Sequence, residues 1–338
     1  MSEVLSLKYR PQRFSEVVGQ DNTIKQIVSA LQTDKLGHSL LFCGTRGSGK
    51  TTTARILAKA LNCEKIVSGE PCGECTSCKS IEVGANLAVS EIDAASNTGV
   101  DNVREIIENI RYSVAGQHRV VILDEAHMLS KNAFNALLKT LEEPPSGVTF
   151  ILLTTEPHKL IPTVLSRCQK YEFVDIDSAT IKNTLLEIAQ KENVNLSEEQ
   201  ANSLALKAEG SLRDALSVLQ KSLSGDVSPD TANEYFTLVG AIYNRDAVTA
   251  LDVVGAIRKS EEARTIIQTL EKWFYWCALE TFGQKTPVRN YFPEGRTLAF
   301  DLTRLQSLFE LCLDIERDFY ATPNSKIVLD MGVIRLCL

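Results

Sequence analysis

Gly44-Thr45-Arg46-Gly47-Ser48-Gly49-Lys50-Thr51 fits the pattern G-x-x-x-x-G-K-[ST] in full. Glycines at these places let the backbone curl so that its N–H groups face phosphate oxygens. A helix starting behind the loop adds the partial positive charge of its N-terminus. Lys50 would neutralise the β- and γ-phosphates of a nucleotide, and the Thr51 hydroxyl would ligate Mg²⁺. Further along, the apolar run Val120-Val121-Ile122-Leu123 leads into Asp124-Glu125-Ala126-His127. An aspartate at the carboxyl end of a buried strand is where a phosphate-loop NTPase holds its Mg²⁺, and the adjacent glutamate is positioned to polarise an attacking water. A second apolar run, Val148–Leu153, ends in Thr154-Thr155. A hydroxyl there would lie beside the acidic strand and could orient the lytic water, although threonine is also an ordinary strand residue.

Cys63, Cys72, Cys75 and Cys78 form C-x₈-C-x₂-C-x₂-C, with the turn formers Gly69, Pro71 and Gly73 between them. Four thiolates at this spacing suit tetrahedral Zn²⁺, and four protein sulfurs leave no open position, so such a site is structural. A reduced, unliganded cluster and an iron–sulfur site are the competing readings. The other five cysteines, Cys43, Cys168, Cys277, Cys312 and Cys337, sit in apolar patterns and read as core thiols. Nine cysteines without an N-terminal apolar h-region point to reduced thiols in the cytoplasm rather than a disulfide framework.

These residues need elements to position them. Ser39–Cys43 reads as a buried strand before the loop, and Lys50 to Leu61 as the helix after it. Leu87–Ile92, Val120–Leu123 and Val148–Leu153 are further strands. Val103–Tyr112, with Val103, Ile106, Ile107 and Ile110 on one face, and Ala133–Glu142, stopped by Pro144-Pro145, are helices. The alternation predicts a parallel sheet covered on both faces. Beyond Asp177 the strand signals stop. Helices are expected over 178–192, from the capping box Ser197-Glu198-Glu199-Gln200 onward, over 212–223, after Ser228-Pro229, and over about 245–258, 261–282, 299–321 and 324–337.

The chain has 338 residues, 44% hydrophobic and 23% charged, enough for two or three domains. No apolar run reaches the length of a membrane span. The net charge of −7 argues against a basic nucleic-acid coat. Residues 1–176 hold 19 Lys+Arg and 20 Asp+Glu, against 17 and 23 in 177–338, so the acidity lies in the second half. The helical pattern reaching Cys337-Leu338 without a polar tail suggests that the natural chain continues.

By residue type alone Arg167, in Ser166-Arg167-Cys168, and Arg213, in Gly210-Ser211-Leu212-Arg213-Asp214, read as surface ion-pair partners. Together with the segments 8–20, 44–63, 123–145, 153–168 and 210–217 and the four cysteines, they carry a wider likeness. Over residues 1 to about 220 the chain resembles the gamma/tau clamp-loader ATPases of bacterial DNA polymerase III, within the AAA+ class. The resemblance implies an α/β phosphate-loop domain with a parallel sheet over 1–176, carrying a zinc-knuckle insertion at about 62–80. A small helical lid over 177–240 and an all-α oligomerisation collar over 241–338 would follow.

It implies ATP, Mg²⁺ and Zn²⁺ as cofactors. Lys50, Thr51, Asp124 and Glu125 keep the roles above. Thr155 becomes the sensor of the γ-phosphate, Arg167 an arginine finger acting on a neighbour's ATP, and Arg213 a second sensor reaching ATP in the same chain. Tyr9-Arg10-Pro11 and Val18-Gly19-Gln20 would surround adenine and ribose, with Gly44 through Thr52 around the phosphates. Expected partners are other clamp-loader subunits in a hetero-oligomeric, pentameric ring, the sliding clamp and primer–template DNA. The chain would act in the cytoplasm at the nucleoid, without a membrane and without a polymerase active site of its own. Other AAA+ DNA-remodelling ATPases and a non-hydrolysing scaffold subunit of the same complex are the alternatives. The stretch Ala95-Ser96-Asn97-Thr98-Gly99 lacks the basic residues common in the family near DNA, which predicts a modest salt slope per subunit.

Overall fold

In a computed structural model the described residues are 4–338, except 97, 111–116, 224–230, 259–260, 285, 287, 289–300 and 323. The expected loop and N-cap at 224–229 and the side chain of Asn97 lie outside them. The chain divides into two units, Met1–Gln220 and Lys221–Leu338.

The first unit is built on five strands, β1 (Ser39–Cys43), β2 (Val89–Asp93), β3 (Arg119–Asp124), β4 (Val148–Thr154) and β5 (Gln169–Glu172). They form one sheet in the order β2-β3-β4-β1-β5, with every pairing parallel. Alternate side chains feed two cores. Leu40, Phe42, Val120, Ile122, Ile151 and Leu153 pack under α1 (Asp21–Gln32) and α2 (Lys50–Leu61). Leu41, Cys43, Val121, Leu123, Phe150 and Leu152 pack under α4 (Val100–Ile110) and α5 (Lys131–Glu142). Between α2 and β2 stands the cysteine insertion with its short helix α3 (Thr76–Glu82). Leu87, expected in the second strand, lies outside β2 and is exposed, because pairing with β3 begins at Val89.

A lid of three helices follows, α6 (Ser178–Lys191), α7 (Glu198–Lys207) and α8 (Leu212–Leu223). Asp177 caps α6 by accepting from Thr180 N at 2.9 Å, and Ser197 and Gln200 form the expected capping box on α7. Ile181, Leu185, Ile188, Leu204, Leu216 and Leu219 form its core, together with Leu5 and Ile176.

The second unit contains α9 (Thr231–Tyr243), α10 (Ala247–Ile257), α11 (Ala263–Thr281), α12 (Leu302–Ala321) and α13 (Ser325–Cys337). Tyr235, Leu238 and Ile242 of α9 are buried with Val254, Ile266, Phe274, Ile315 and Leu329. A boundary at 240 would cut through α9, whose apolar face belongs to this second core. Gly332 lets α13 approach α12: a Cβ there would stand 2.9 Å from Ile315. No described helix is long and apolar enough to cross a membrane.

Phe42 is fully buried, with its ring 5.7 Å from Tyr171 and 5.2 Å from Phe173. Phe42→Ala should therefore lower the stability of the first unit by about 3–5 kcal/mol, read as the shift of its urea unfolding transition.

Candidate active site

The phosphate loop leaves β1 at Cys43 and enters α2 at Lys50. Gly44 donates its N–H to the Thr154 carbonyl at 3.2 Å, which ties the loop's first residue to the end of β4. A Cβ at Gly44 would meet the Phe173 carbonyl oxygen at 2.3 Å, and one at Gly47, where φ is +77°, would meet Ser211 Oγ at 1.9 Å. The loop thus admits only glycine where the linker and the lid press on it. Lys50 is buried, and its Nζ donates to the carbonyls of Gly44 (2.8 Å) and Thr45 (2.7 Å). Burial lowers its pKa, while Glu125 and Asp124 nearby oppose that shift. Phosphate oxygens would offer this ammonium stronger, charge-assisted acceptors than two carbonyls.

The acids stand across from the lysine. Thr51 Oγ1 donates to Asp124 Oδ2 at 2.9 Å, so the two expected Mg²⁺ ligands already share one locus. Glu125 follows in a left-handed conformation, φ 47° and ψ 45°. Its carboxylate accepts from Thr155 Oγ1 at 3.2 Å and lies 3.5 Å from His127 Nδ1. His127 also meets the buried Thr154 hydroxyl at 3.1 Å and Glu156 at 3.3 Å. β4 ends at Thr154, which faces inward, and Thr155 beyond it is the residue that touches Glu125.

Two cavities meet at the loop. One is lined by Tyr9, Arg10, Pro11, Val17, Val18, Ile176, Leu216, Gly47 to Thr52 and Arg213. The other is lined by Arg46, Lys50, Thr51, Arg55, Glu91, Asp93, Asp124, Glu125 and again Arg213. The mixed apolar and charged lining of the two suits a nucleotide. The pKa of Arg10 is lowered by burial and by the like charges of Arg55 and Arg213, so three guanidinium groups converge here. Arg55 is engaged by Glu91 at 2.7 and 2.8 Å.

Not every expected residue lines these cavities. Gly19 lies against Ile176. Thr45 hydrogen-bonds Asp175, at the linker to the lid. Gln20 is buried and acts as a tie: its amide donates to Ser48 O (3.2 Å) and Val174 O (2.6 Å) and accepts from Val174 N (3.1 Å). Arg167 lines neither cavity. Its guanidinium pairs with Glu142 at 3.1 Å and donates to Thr163 O at 2.9 Å. In the stretch near Asn97, Ser96 Oγ and Ala95 N both bond the Asp93 carboxylate, at 2.6 and 2.8 Å.

The four cysteine sulfurs lie within 4.8 Å of one another, with Cys72 and Cys78 at 3.9 Å. Metal–sulfur bonds of about 2.3 Å at tetrahedral angles require an edge of about 3.8 Å. Backbone N–H groups point at the sulfurs: Cys72 N at Cys63, Glu74 N and Cys75 N at Cys72, and Cys78 N at Cys75, over 3.2 to 3.5 Å. The bonds from Glu74 and Cys75 pull the Cys72 thiol down to about 6, while burial pushes the Cys78 thiol up. The donor set fits Zn²⁺.

A parallel sheet with a phosphate loop after β1, acids at the end of β3 across the intervening β4, and a helical lid over the loop is the architecture of a phosphate-loop domain of the AAA+ class. Residues 19–177 match the sequence family described as DNA polymerase III, delta subunit, and residues 180–224 that of the DNA polymerase III clamp loader subunit, ATPase lid domain. The chain is 35% identical to DNA polymerase III subunit tau/gamma of Haemophilus influenzae, covering 98% of this chain and 51% of that protein. It is 44% identical to subunit tau of Bacillus subtilis, covering 97% and 62%. It is also 44% identical to subunit gamma of Buchnera aphidicola subsp. Schizaphis graminum, covering 98% and 97%. The chain belongs to the gamma/tau family of DNA polymerase III subunits. It spans about half to three-fifths of the first two of these relatives and nearly all of the third.

Native protein should carry one zinc per chain by elemental analysis. Cys75→Ser should abolish it and lower the thermal midpoint of the first unit.

Proposed function

We propose that the chain is the ATPase subunit of a bacterial replicative clamp loader, coupling ATP binding and hydrolysis to opening a sliding clamp and placing it on primer–template DNA. The observation that carries this reading is the convergence of Lys50, Thr51, Asp124, Glu125 and Arg213 on one cavity, with Arg213 contributed by the lid. Lys50 and the loop N–H groups would bind the phosphates, and Glu125 would take a proton from the attacking water. Thr51 and Asp124 would hold Mg²⁺, which supplies charge neutralisation at the β- and γ-phosphates. Arg213 would close the lid when the γ-phosphate is present and relax when it is gone, making ATP the signal for a change in shape.

Arg167 would serve the ATP of an adjoining subunit. Its partner Glu142 is well exposed, and such a pair is worth about 0–1 kcal/mol. A neighbour's phosphate would displace it at little cost. The other subunits, the clamp and DNA would supply the assembly in which this exchange occurs, with the second unit of helices as the oligomerisation collar.

The test is ATP turnover of the chain alone and with the other subunits, clamp and DNA. Arg167→Ala should retain ATP affinity and lose roughly 10³-fold or more of the assembled turnover, by analogy with fingers in related NTPases. Near-normal turnover in that variant would overturn the role given to Arg167. Glu125→Gln should bind ATP at wild-type affinity and hydrolyse it roughly 10²–10⁴-fold more slowly, measured by single-turnover phosphate release.

A further inference from the structure

One wall of the nucleotide cavity comes from a strap, residues 5–16, that precedes the first helix of the sheet domain. Its two halves are held by different parts of the unit. Leu5 is buried in the lid core, and its N–H donates to Gln220 Oε1 at 3.0 Å. Lys8 Nζ reaches the Glu192 carboxylate at 2.6 Å, and the Tyr9 hydroxyl bonds the same group. The other half is held by the cysteine module. The Glu70 carboxylate accepts from Phe14 N and Ser15 N, each at 2.8 Å. Arg13 Nη2 donates to the carbonyl of Cys72, one of the four thiol residues, at 3.1 Å. Lys59 of α2, only 1% exposed, donates to Glu82 at the end of α3 (3.0 Å) and to the side chain of Gln12. Gln12 in turn donates to the Arg10 carbonyl at 3.0 Å.

Between the two anchored halves lie Tyr9, Arg10 and Pro11, which face the cavity opposite the phosphate loop. With phosphates on the loop, the nucleoside of a bound nucleotide falls against the wall made by Tyr9, Pro11, Val17, Val18 and Leu216. A wall fixed in advance spares the bound state the cost of ordering it.

We infer that the cysteine module anchors the base-side wall of the nucleotide pocket, with Glu70, Arg13 and Lys59 as positioning residues, so that metal occupancy and nucleotide affinity are linked. This rests on the reading of the cavity as an ATP site. The linkage is reciprocal: whatever factor the metal adds to ATP affinity, ATP adds to metal retention.

The experiment compares the full chain with Glu70→Ala and Glu70→Gln, all four cysteines intact, and with wild-type protein stripped of zinc by a chelator under reducing conditions. Calorimetric titration with ATP and, separately, with inorganic tripolyphosphate divides the affinity into nucleoside and phosphate parts. Zinc content and thermal midpoint are measured alongside. Glu70→Ala should keep its zinc and its tripolyphosphate affinity and bind ATP about five- to tenfold more weakly, at the low end of usual coupling factors. Glu70→Gln, which keeps one acceptor oxygen, should recover part of the loss. The stripped protein should show the same loss confined to ATP, and saturating ATP should slow zinc release from the wild type. ATP affinity within twofold of wild type in both Glu70→Ala and the stripped protein would overturn the inference. So would an equal loss of ATP and tripolyphosphate affinity accompanied by a fall in thermal midpoint, since the module would then serve only general stability. Failure of the wild type to bind ATP at all would overturn the cavity reading itself, and this inference with it.

Discussion

The parallel register of β1, β3 and β4 is the constraint on which the site depends. Cys43 stands opposite Thr154, and Asp93 opposite Asp124, so these strands all present their carboxyl ends at one edge. Both faces of the sheet are buried, which leaves that edge as the place where strand ends meet solvent and ligand. The bond from Gly44 N to Thr154 O extends the β1–β4 ladder one step past Cys43 and sets where the loop begins to turn. Neighbouring strands lie about 4.8 Å apart. That spacing brings the ends of β1, β4 and β3, and with them Lys50, Thr155 and Asp124, to one side of the sheet.

The parts of this arrangement that were legible in the sequence are those in which one residue type has one physical use. Glycines before a lysine, acids after four apolar residues and cysteines at two-residue spacing each name their chemistry. The strands were legible where both faces are buried. β5 was not, because only Tyr171 of its four residues is buried and Gln169-Lys170-Tyr171-Glu172 has no apolar run. Gln20 lay in a segment tied to the nucleotide by resemblance, yet the structure uses its amide to join the loop to the linker. Nothing in a lone glutamine announces that. Ser211, Glu142 and Glu70 were invisible for the same reason: their partners lie 25 to 164 positions away, and only the fold brings them together. The boundary expected at 240 falls inside α9, whose apolar face packs in the second core; a helix with one apolar face does not say which core that face will join.

Charge is distributed to the same end. The chain is acidic overall, yet Lys50, Arg10, Arg55 and Arg213 gather around the two cavities that meet at the loop. Arg55 is neutralised by Glu91 at close range, while the like charges of Arg55 and Arg213 bear on Arg10. An anion with several charges relieves that repulsion. The cavity edge is thus locally cationic in a chain whose net charge is −7.

Glu125 holds its carboxylate in place with a left-handed backbone, which glycine and to a lesser extent asparagine and aspartate adopt readily and other residues avoid, at a cost of about 1–2 kcal/mol. The fold would be more comfortable with glycine there, and under the proposed mechanism the group that activates the water would be lost. Stability and turnover thus pull in opposite directions at a single position. A population of variants selected only for resistance to heat would drift toward glycine or asparagine at 125, and on the proposed mechanism would collect well-folded chains that hold ATP without consuming it.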